Sequence, residues 1–192
     1  MTLGLTGGMG CGKSTAARMF ENKGFGRLDS DALVREQVLP SPGVKEALRQ
    51  RHGGTIFKPD GSVDRGKLAY IVFSDDSERT WLEELTHPLV FGIWRSALGS
   101  DPAASWVLET PLLFEKALEN WFDFTVCVAC APEQQLVRLE QRGLNRELAG
   151  QRISKQLPLA RKIELSDFVL WNEGSPEFLQ EQIDRLVVSL RG

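Results

Sequence analysis

Residues 7–15 read Gly7-Gly8-Met9-Gly10-Cys11-Gly12-Lys13-Ser14-Thr15, which fits G-x-x-x-x-G-K-[ST]. A short apolar strand, Leu3-Gly4-Leu5-Thr6, precedes the loop. Helix formers follow it, Thr15-Ala16-Ala17-Arg18-Met19-Phe20-Glu21, with Gly24 as a stop signal. This strand–loop–helix order is the one phosphate binding requires. The glycines let the backbone curl until successive N–H groups point inward at phosphate oxygens, and the helix adds the positive end of its dipole. In that geometry Lys13 brings a point charge to the β- and γ-phosphates, and the Ser14 hydroxyl ligates Mg²⁺. The loop predicts binding of a nucleoside triphosphate.

Composition removes several other classes. The 23 Lys and Arg stand against 26 Asp and Glu, so a net charge of −3 gives no general attraction to nucleic acid or to an anionic membrane. No apolar run approaches the length of a bilayer span. The chain enters its first strand without a basic segment or an apolar leader, which predicts a cytoplasmic protein with no processing. Three cysteines argue against a disulfide framework. Cys127-Val128-Ala129-Cys130 spells C-x-x-C, but within an apolar run that reads as a buried strand. Residues three apart on a strand point to opposite faces, so these thiols are expected to act as small core hydrophobes. Cys11 occupies a variable position of the phosphate loop.

Five stretches read as strands: Leu3–Thr6, Arg27–Asp29, Trp106–Glu109, Phe124–Cys130 and Phe168–Trp171. Helical patterns separate them, which predicts βαβ units and a five-stranded parallel sheet flanked by helices, an α/β fold. Ligands of such sheets bind at the carboxyl ends of the strands. About 75 residues separate the second and third strands, far more than one crossover helix needs. Helix-like stretches fill that interval: Ala32–Leu39, Val44–His52, Lys67–Phe73, Glu78–Leu85 and Leu89–Leu98. Pro40-Ser41-Pro42-Gly43, Gly53-Gly54 and Pro59-Asp60-Gly61 punctuate it, so it reads as a helical insertion suited to a bulky second substrate. Helices are also expected from Pro132 to Arg142, ended by Gly143, from Arg146 to Gln156, and from Glu177 to Leu190.

Carboxylates and cations gather near the strand ends. Asp29 and Asp31 share a side if strand geometry continues past the second strand. Asp31 either takes a proton from a nucleophilic hydroxyl or caps the helix at Ala32. Arg35, one turn on, is an ion-pair partner of Asp31 or a contact to a substrate phosphate. Glu109 ends the third strand, as a water-bridged Mg²⁺ holder or a solvated acid. Arg138, Arg142 and Arg146 recur every fourth residue, as a solvated basic face or as a lid arginine that closes on the transferred group. Leu112, Leu113 and Phe114 line a pocket or the core. Asn172 reads a nucleobase edge or shapes a turn. His52 reads as a loop residue, and His87, before Pro88, as a helix-junction residue or a substrate contact.

Taken as a set, these residues resemble the dephospho-coenzyme A kinase family. The match runs over nearly the whole chain, through Leu5 to Thr15, Leu28-Asp29-Ser30-Asp31 with Arg35, and Gly61-Ser62-Val63-Asp64-Arg65 to Leu68. It continues through Thr86-His87-Pro88, Pro111-Leu112-Leu113-Phe114-Glu115, Arg152-Ile153 with Gln156, and Asp167 to Asn172 with Gly174. The family's I-D-N-x-G is altered here to Leu170-Trp171-Asn172-Glu173-Gly174, without the acid before Asn172.

The resemblance implies a nucleoside-monophosphate-kinase-like P-loop domain, with core residues 1–31, 103–142 and 163–192. It also implies a helical substrate-binding insertion over about 32–102 and a lid over about 143–162. The implied reaction moves the γ-phosphoryl of ATP, with Mg²⁺, to the ribose 3′-hydroxyl of dephospho-coenzyme A. Asp31, Lys13 and Arg142 would be catalytic. Gly8, Gly10, Cys11, Gly12, Lys13, Ser14, Thr15 and Asn172 would hold ATP, with Ser14 on the metal. Thr6, Asp31, Arg35, His87, Leu112 and Leu113 would meet the acceptor. ATP and dephospho-coenzyme A are the expected partners, with neither nucleic acid nor membrane. A GTP-dependent switch is disfavoured, because neither D-x-x-G after the third strand nor [NT]-K-x-D occurs. The alternative is another P-loop small-molecule kinase, such as a shikimate or nucleoside kinase.

Overall fold

A computed structural model describes residues 1–191. In chain order the strands are β1 (Thr2–Gly7), β2 (Gly26–Asp29), β3 (Trp106–Glu109), β4 (Phe124–Ala129) and β5 (Phe168–Trp171). The helices are α1 (Lys13–Glu21), α2 (Ser30–Leu33), α3 (Pro42–His52), α4 (Arg65–Ser74), α5 (Asp76–Ser100), α6 (Pro132–Gln141), α7 (Arg146–Ser154), α8 (Leu159–Leu165) and α9 (Pro176–Arg191). The chain divides into two compact units, one of Met1–Asp29 with the residues from Ala103 onward, the other Ser30–Pro102.

In the first unit all five strands are parallel, in the order β2-β3-β1-β4-β5. The five expected strands all form, with ends shifted by a residue or two. Both faces of β1 are covered, as a central parallel strand requires. Leu3 and Leu5 face a core shared with Ala16, Ala17 and Phe20 of α1 and Leu179, Ile183 and Val187 of α9. On the opposite face a Cβ at Gly4 would press on Leu113 and Phe122. Cys130 packs with Cys11 in the α1 and α9 core, whereas Cys127, equally buried, lies outside that cluster. The two thiols of the C-x-x-C thus serve as small core side chains. No helix among the described residues is long and apolar enough to cross a membrane.

The second unit is helical. Its longest helix, α5, corrects the sequence reading of two helices separated at Pro88. Thr86, Val90 and Trp94 are buried at intervals of four and form one stripe across Pro88, which is itself exposed. Packing of that stripe outweighs the backbone hydrogen bond lost at proline. Helix α3 ends at His52, which the sequence placed in a loop; its Nε2 lies 3.4 Å from Glu78 and its ring meets Trp81 edge-on. The segment Val34–Val38 is a π-helix turn, with Leu39 N–H donating to the Val34 carbonyl at 2.8 Å.

Candidate active site

The loop between β1 and α1 follows from residues that tolerate its backbone. Gly7 sits at φ 139° and Gly12 at φ 95°, conformations L side chains rarely adopt. A Cβ on Gly7 would overlap the Val128 carbonyl, and one on Gly12 the Asn172 amide. The loop is braced from α6, whose start is set by Pro132 at its first turn. Gln135, 4% exposed, donates Nε2 to the Met9 carbonyl at 2.8 Å. Arg138 donates to the Asn172 carbonyl at 2.9 Å and reaches the Gly10 carbonyl at 3.5 Å. Asn172 Nδ2 in turn donates to the Cys11 carbonyl at 2.8 Å. Arg138 is thus a strut between the loop and the turn after β5, not part of a solvated face. Gln135 went unremarked in the sequence, although Gln135, Arg138 and Arg142 lie on one helical face.

Lys13 Nζ donates to the Gly7 and Gly8 carbonyls, both at 3.0 Å. Ser14 Oγ donates to Glu109 Oε2 at 2.7 Å, and Arg27 holds Glu109 Oε1 through Nε at 2.9 Å and a second nitrogen at 2.6 Å. Glu109 is 3% exposed, which settles its sequence alternatives against a solvated acid. The sulfurs of Cys11 and Cys130 are 3.5 Å apart. The Cys130 thiol donates to Cys11, and with the Lys13 ammonium nearby it lowers the Cys11 pKa to about 7, despite burial. Cys130 is pushed upward by the same contact.

A cavity of about 350 Å³ opens beside the loop, lined by Gly12, Thr15, Arg138, Arg142, Asn172 and Gly174. Arg142 caps α6, and Gly143 at φ 84° turns the chain away, so Arg142 and Arg146 do not share a helix. The structure thus brings Gly12, Thr15, Arg142 and Asn172 to one cavity, with Lys13 and Ser14 at the loop above α1. Glu133 pairs with Arg146.

Other expected residues serve the frame. Thr6 is fully buried and its hydroxyl donates to the Pro111 carbonyl at 3.3 Å. Leu113 is fully buried on the sheet face and Leu112 is half-buried in the turn after β3. The same Pro111 carbonyl accepts from Lys162 Nζ at 2.6 Å. Lys162, with no exposed surface, comes from α8, a helix the sequence reading did not assign. Its ammonium also meets Glu115 Oε1 at 2.8 Å, and that oxygen accepts the Leu157 N–H at 2.9 Å. Replacing Lys162 with Met strands the Glu115 carboxylate, so Lys162→Met is expected to lower stability by about 3–5 kcal/mol in a urea titration.

In the second unit Asp31 is exposed in the first turn of α2. Because α2 starts at Ser30, strand geometry does not continue beyond Asp29, and Asp31 is not the cap the sequence allowed. Arg35 lies in the π-helix turn, 2.6 Å from Glu36. His87 is half-buried within α5, its ring 5.7 Å from that of Phe91.

A parallel sheet whose first strand enters a lysine-bearing phosphate loop, with a buried strand-end acid on the loop serine, defines a P-loop kinase. The dephospho-CoA kinase family model matches residues 1–177. A dephospho-CoA kinase of Thermosynechococcus vestitus is 42% identical over 96% of this chain and 92% of its own. One from Gloeobacter violaceus is 37% identical over 95% and 89%. The crystal structure of a Thermus thermophilus protein superposes with a TM-score of 0.87 at 34% identity, covering 100% of this chain and 98% of that one. A Bacteroides thetaiotaomicron shikimate kinase, 14% identical over 100% and 99%, shares the fold alone at a TM-score of 0.57. The chain belongs to the dephospho-CoA kinase family.

Proposed function

We propose that this chain transfers the γ-phosphoryl of ATP to the ribose 3′-hydroxyl of dephospho-CoA, giving CoA and ADP, the last step of coenzyme A synthesis. The observation that carries the reading is the Ser14–Glu109 contact beneath a glycine loop, in a chain whose family acts on this acceptor. The loop amides and Lys13 bind the β- and γ-phosphates and neutralise charge that develops on the transferred group. On nucleotide binding the Lys13 ammonium exchanges the Gly7 and Gly8 carbonyls for phosphate oxygens.

The donor set fits Mg²⁺. A hydroxyl and a carboxylate are hard oxygen donors, and Glu109 is buried and oriented by Arg27. The described residues hold no cluster of three or more His, Cys, Asp or Glu suited to a metal, consistent with an ion that arrives on the nucleotide. When bound, it supplies charge neutralisation across the phosphates. Ser14 would be its direct ligand and Glu109 would hold it through water.

Asp31 accepts the proton of the 3′-hydroxyl. In the chain it follows β2 by two residues, and an ionised carboxylate is the group such a proton transfer needs. Arg142 closes on the nucleotide, since its cavity also contains Thr15 and Asn172. Arg142→Ala is expected to reduce kcat about 100-fold or more, with KM for ATP changed far less. Steady-state kinetics with ATP as the varied substrate measure the split; a change in KM alone makes Arg142 a ground-state binder. The three buried thiols, none in a disulfide, suit a reducing cytoplasm. Substrate competition tests the function: turnover of dephospho-CoA, but not of shikimate or nucleosides, is expected.

A further inference from the structure

Two of the three thiols meet beneath the phosphate loop. Cys11 lies in the loop just before Gly12 and Lys13, and Cys130 follows the last residue of β4. Their sulfurs are 3.5 Å apart, with the Cys130 S–H donating to Cys11. Both side chains are enclosed by the α1 and α9 core, Cys11 with no exposed surface and Cys130 at 2%. The Cys11 sulfur is also tucked inside the curl of the loop, since a Cβ on Gly8 would come within 2.9 Å of it. Cys127, three residues before Cys130, points to the opposite face of the strand and lies outside this cluster. The C-x-x-C spelling therefore conceals a different pair, one that joins the loop to the sheet.

A core position asks only for a small apolar side chain, whereas two sulfurs in contact add a chemistry that alanine or valine would not. The contact also makes the two unequal. The Cys130 hydrogen bond lowers the Cys11 pKa to about 7, with burial opposing and the Lys13 ammonium assisting. The thiolate is the nucleophilic form of cysteine. Cys130 is pushed upward and keeps its proton. One sulfur is thus ready to attack an oxidant, and its neighbour stands at contact distance to displace what that attack leaves behind.

We propose that Cys11 is a site of oxidation by hydroperoxides, and that Cys130 resolves it to a Cys11–Cys130 disulfide that weakens nucleotide binding. The Cys11 sulfur attacks one oxygen of hydrogen peroxide. The S–O bond forms, the O–O bond breaks, and the departing hydroxide becomes water with the proton Cys11 gave up. Cys130 then attacks the sulfenic sulfur of Cys11. The S–S bond forms, the S–O bond breaks, and the Cys130 proton leaves with the hydroxide as a second water. The two thiols lose two electrons and the peroxide gains them; a dithiol reverses the step by exchange and is itself oxidised. Because the pair is covered, the oxidant must be small enough to enter as the glycine loop opens. To bond, the sulfurs close from 3.5 Å to about 2 Å. The sheet holds Cys130, so the loop moves. Asn172 grips the Cys11 carbonyl, and Gly12 and Lys13 follow directly in the chain, so the shift reaches the groups that hold phosphate. A misplacement of about 1 Å in such a site can cost about 10²-fold.

The test treats the reduced full chain with graded hydrogen peroxide, maps its peptides by non-reducing mass spectrometry and titrates it with a fluorescent ATP analogue. A Cys11–Cys130 cross-linked peptide is expected, with Kd for the analogue raised at least about tenfold. Dithiothreitol should remove the cross-link and restore the affinity. Cys127→Ala should behave as wild type. Cys130→Ala should bind the analogue as the reduced wild type does but form no cross-link. Its Cys11, where oxidised, passes on to the sulfinic acid, which dithiothreitol does not reduce. Mapping of the wild type stands whether or not that variant folds, and nucleotide affinity is read without regard to the acceptor. A wild type without the cross-link, one joined through Cys127 instead, or a cross-link that leaves Kd unchanged overturns the inference. So does a dithiothreitol-reversible loss of affinity in Cys130→Ala, which would leave Cys130 no part in it.

Discussion

Asp31→Asn is expected to lower kcat by about 10²-fold or more while leaving ATP affinity within about twofold of wild type. The amide is isosteric with the carboxylate but cannot accept the proton of the ribose hydroxyl. Asp31 is exposed in the first turn of α2, so its replacement disturbs no packed core. The phosphate loop lies elsewhere in the chain and keeps its glycines, its lysine and its brace from α6. Single-turnover rates alongside fluorescent-nucleotide titrations separate the two quantities. A variant with a near-normal rate would remove Asp31 from the chemistry, and a variant that loses ATP binding would make it part of the nucleotide site.

Lys13→Ala should cost more in binding and about 10²–10³-fold in kcat, the scale for removing one preorganised donor from a transition state. Without nucleotide the ammonium rests on the Gly7 and Gly8 carbonyls, so the loop already positions it at the mouth of the cradle. Lys13→Arg should recover little. A planar fork does not fit where two carbonyls 3.0 Å away hold a compact ammonium. Rates near wild type for either variant would mean that the loop amides alone carry the γ-phosphate.

Four of the five strands were legible as short apolar runs beside a turn signal, whereas β2, half-buried throughout, reads Gly26-Arg27-Leu28-Asp29. Leu3 and Leu5 alternate with Gly4 and Thr6, yet all four are buried, as only a strand covered on both faces permits. The glycine loop was legible because backbone conformation dictates it. The continuity of α5 was not, since proline is a strong local signal and the buried stripe that overrides it is tertiary. Helix α8 escaped because Lys162, which anchors it, reads as a surface cation until Glu115 and the Pro111 carbonyl are brought to it by the fold. Gln135, and the bracing role of Arg138, escaped for a related reason: a polar residue on a helix shows its partner only when the loop it braces is in place. The role of Glu109 was left open between metal and solvent, and burial decided against solvent.

The measurement that goes to the centre of the account is the position of the new phosphate in the product formed from ATP, Mg²⁺ and dephospho-CoA. Phosphorus–proton correlation NMR of the purified product is expected to couple the new phosphorus to the ribose 3′ proton, with one ADP released per product. Phosphate on the 2′-oxygen or on the pantetheine arm, or hydrolysis of ATP without acceptor phosphorylation, would contradict it.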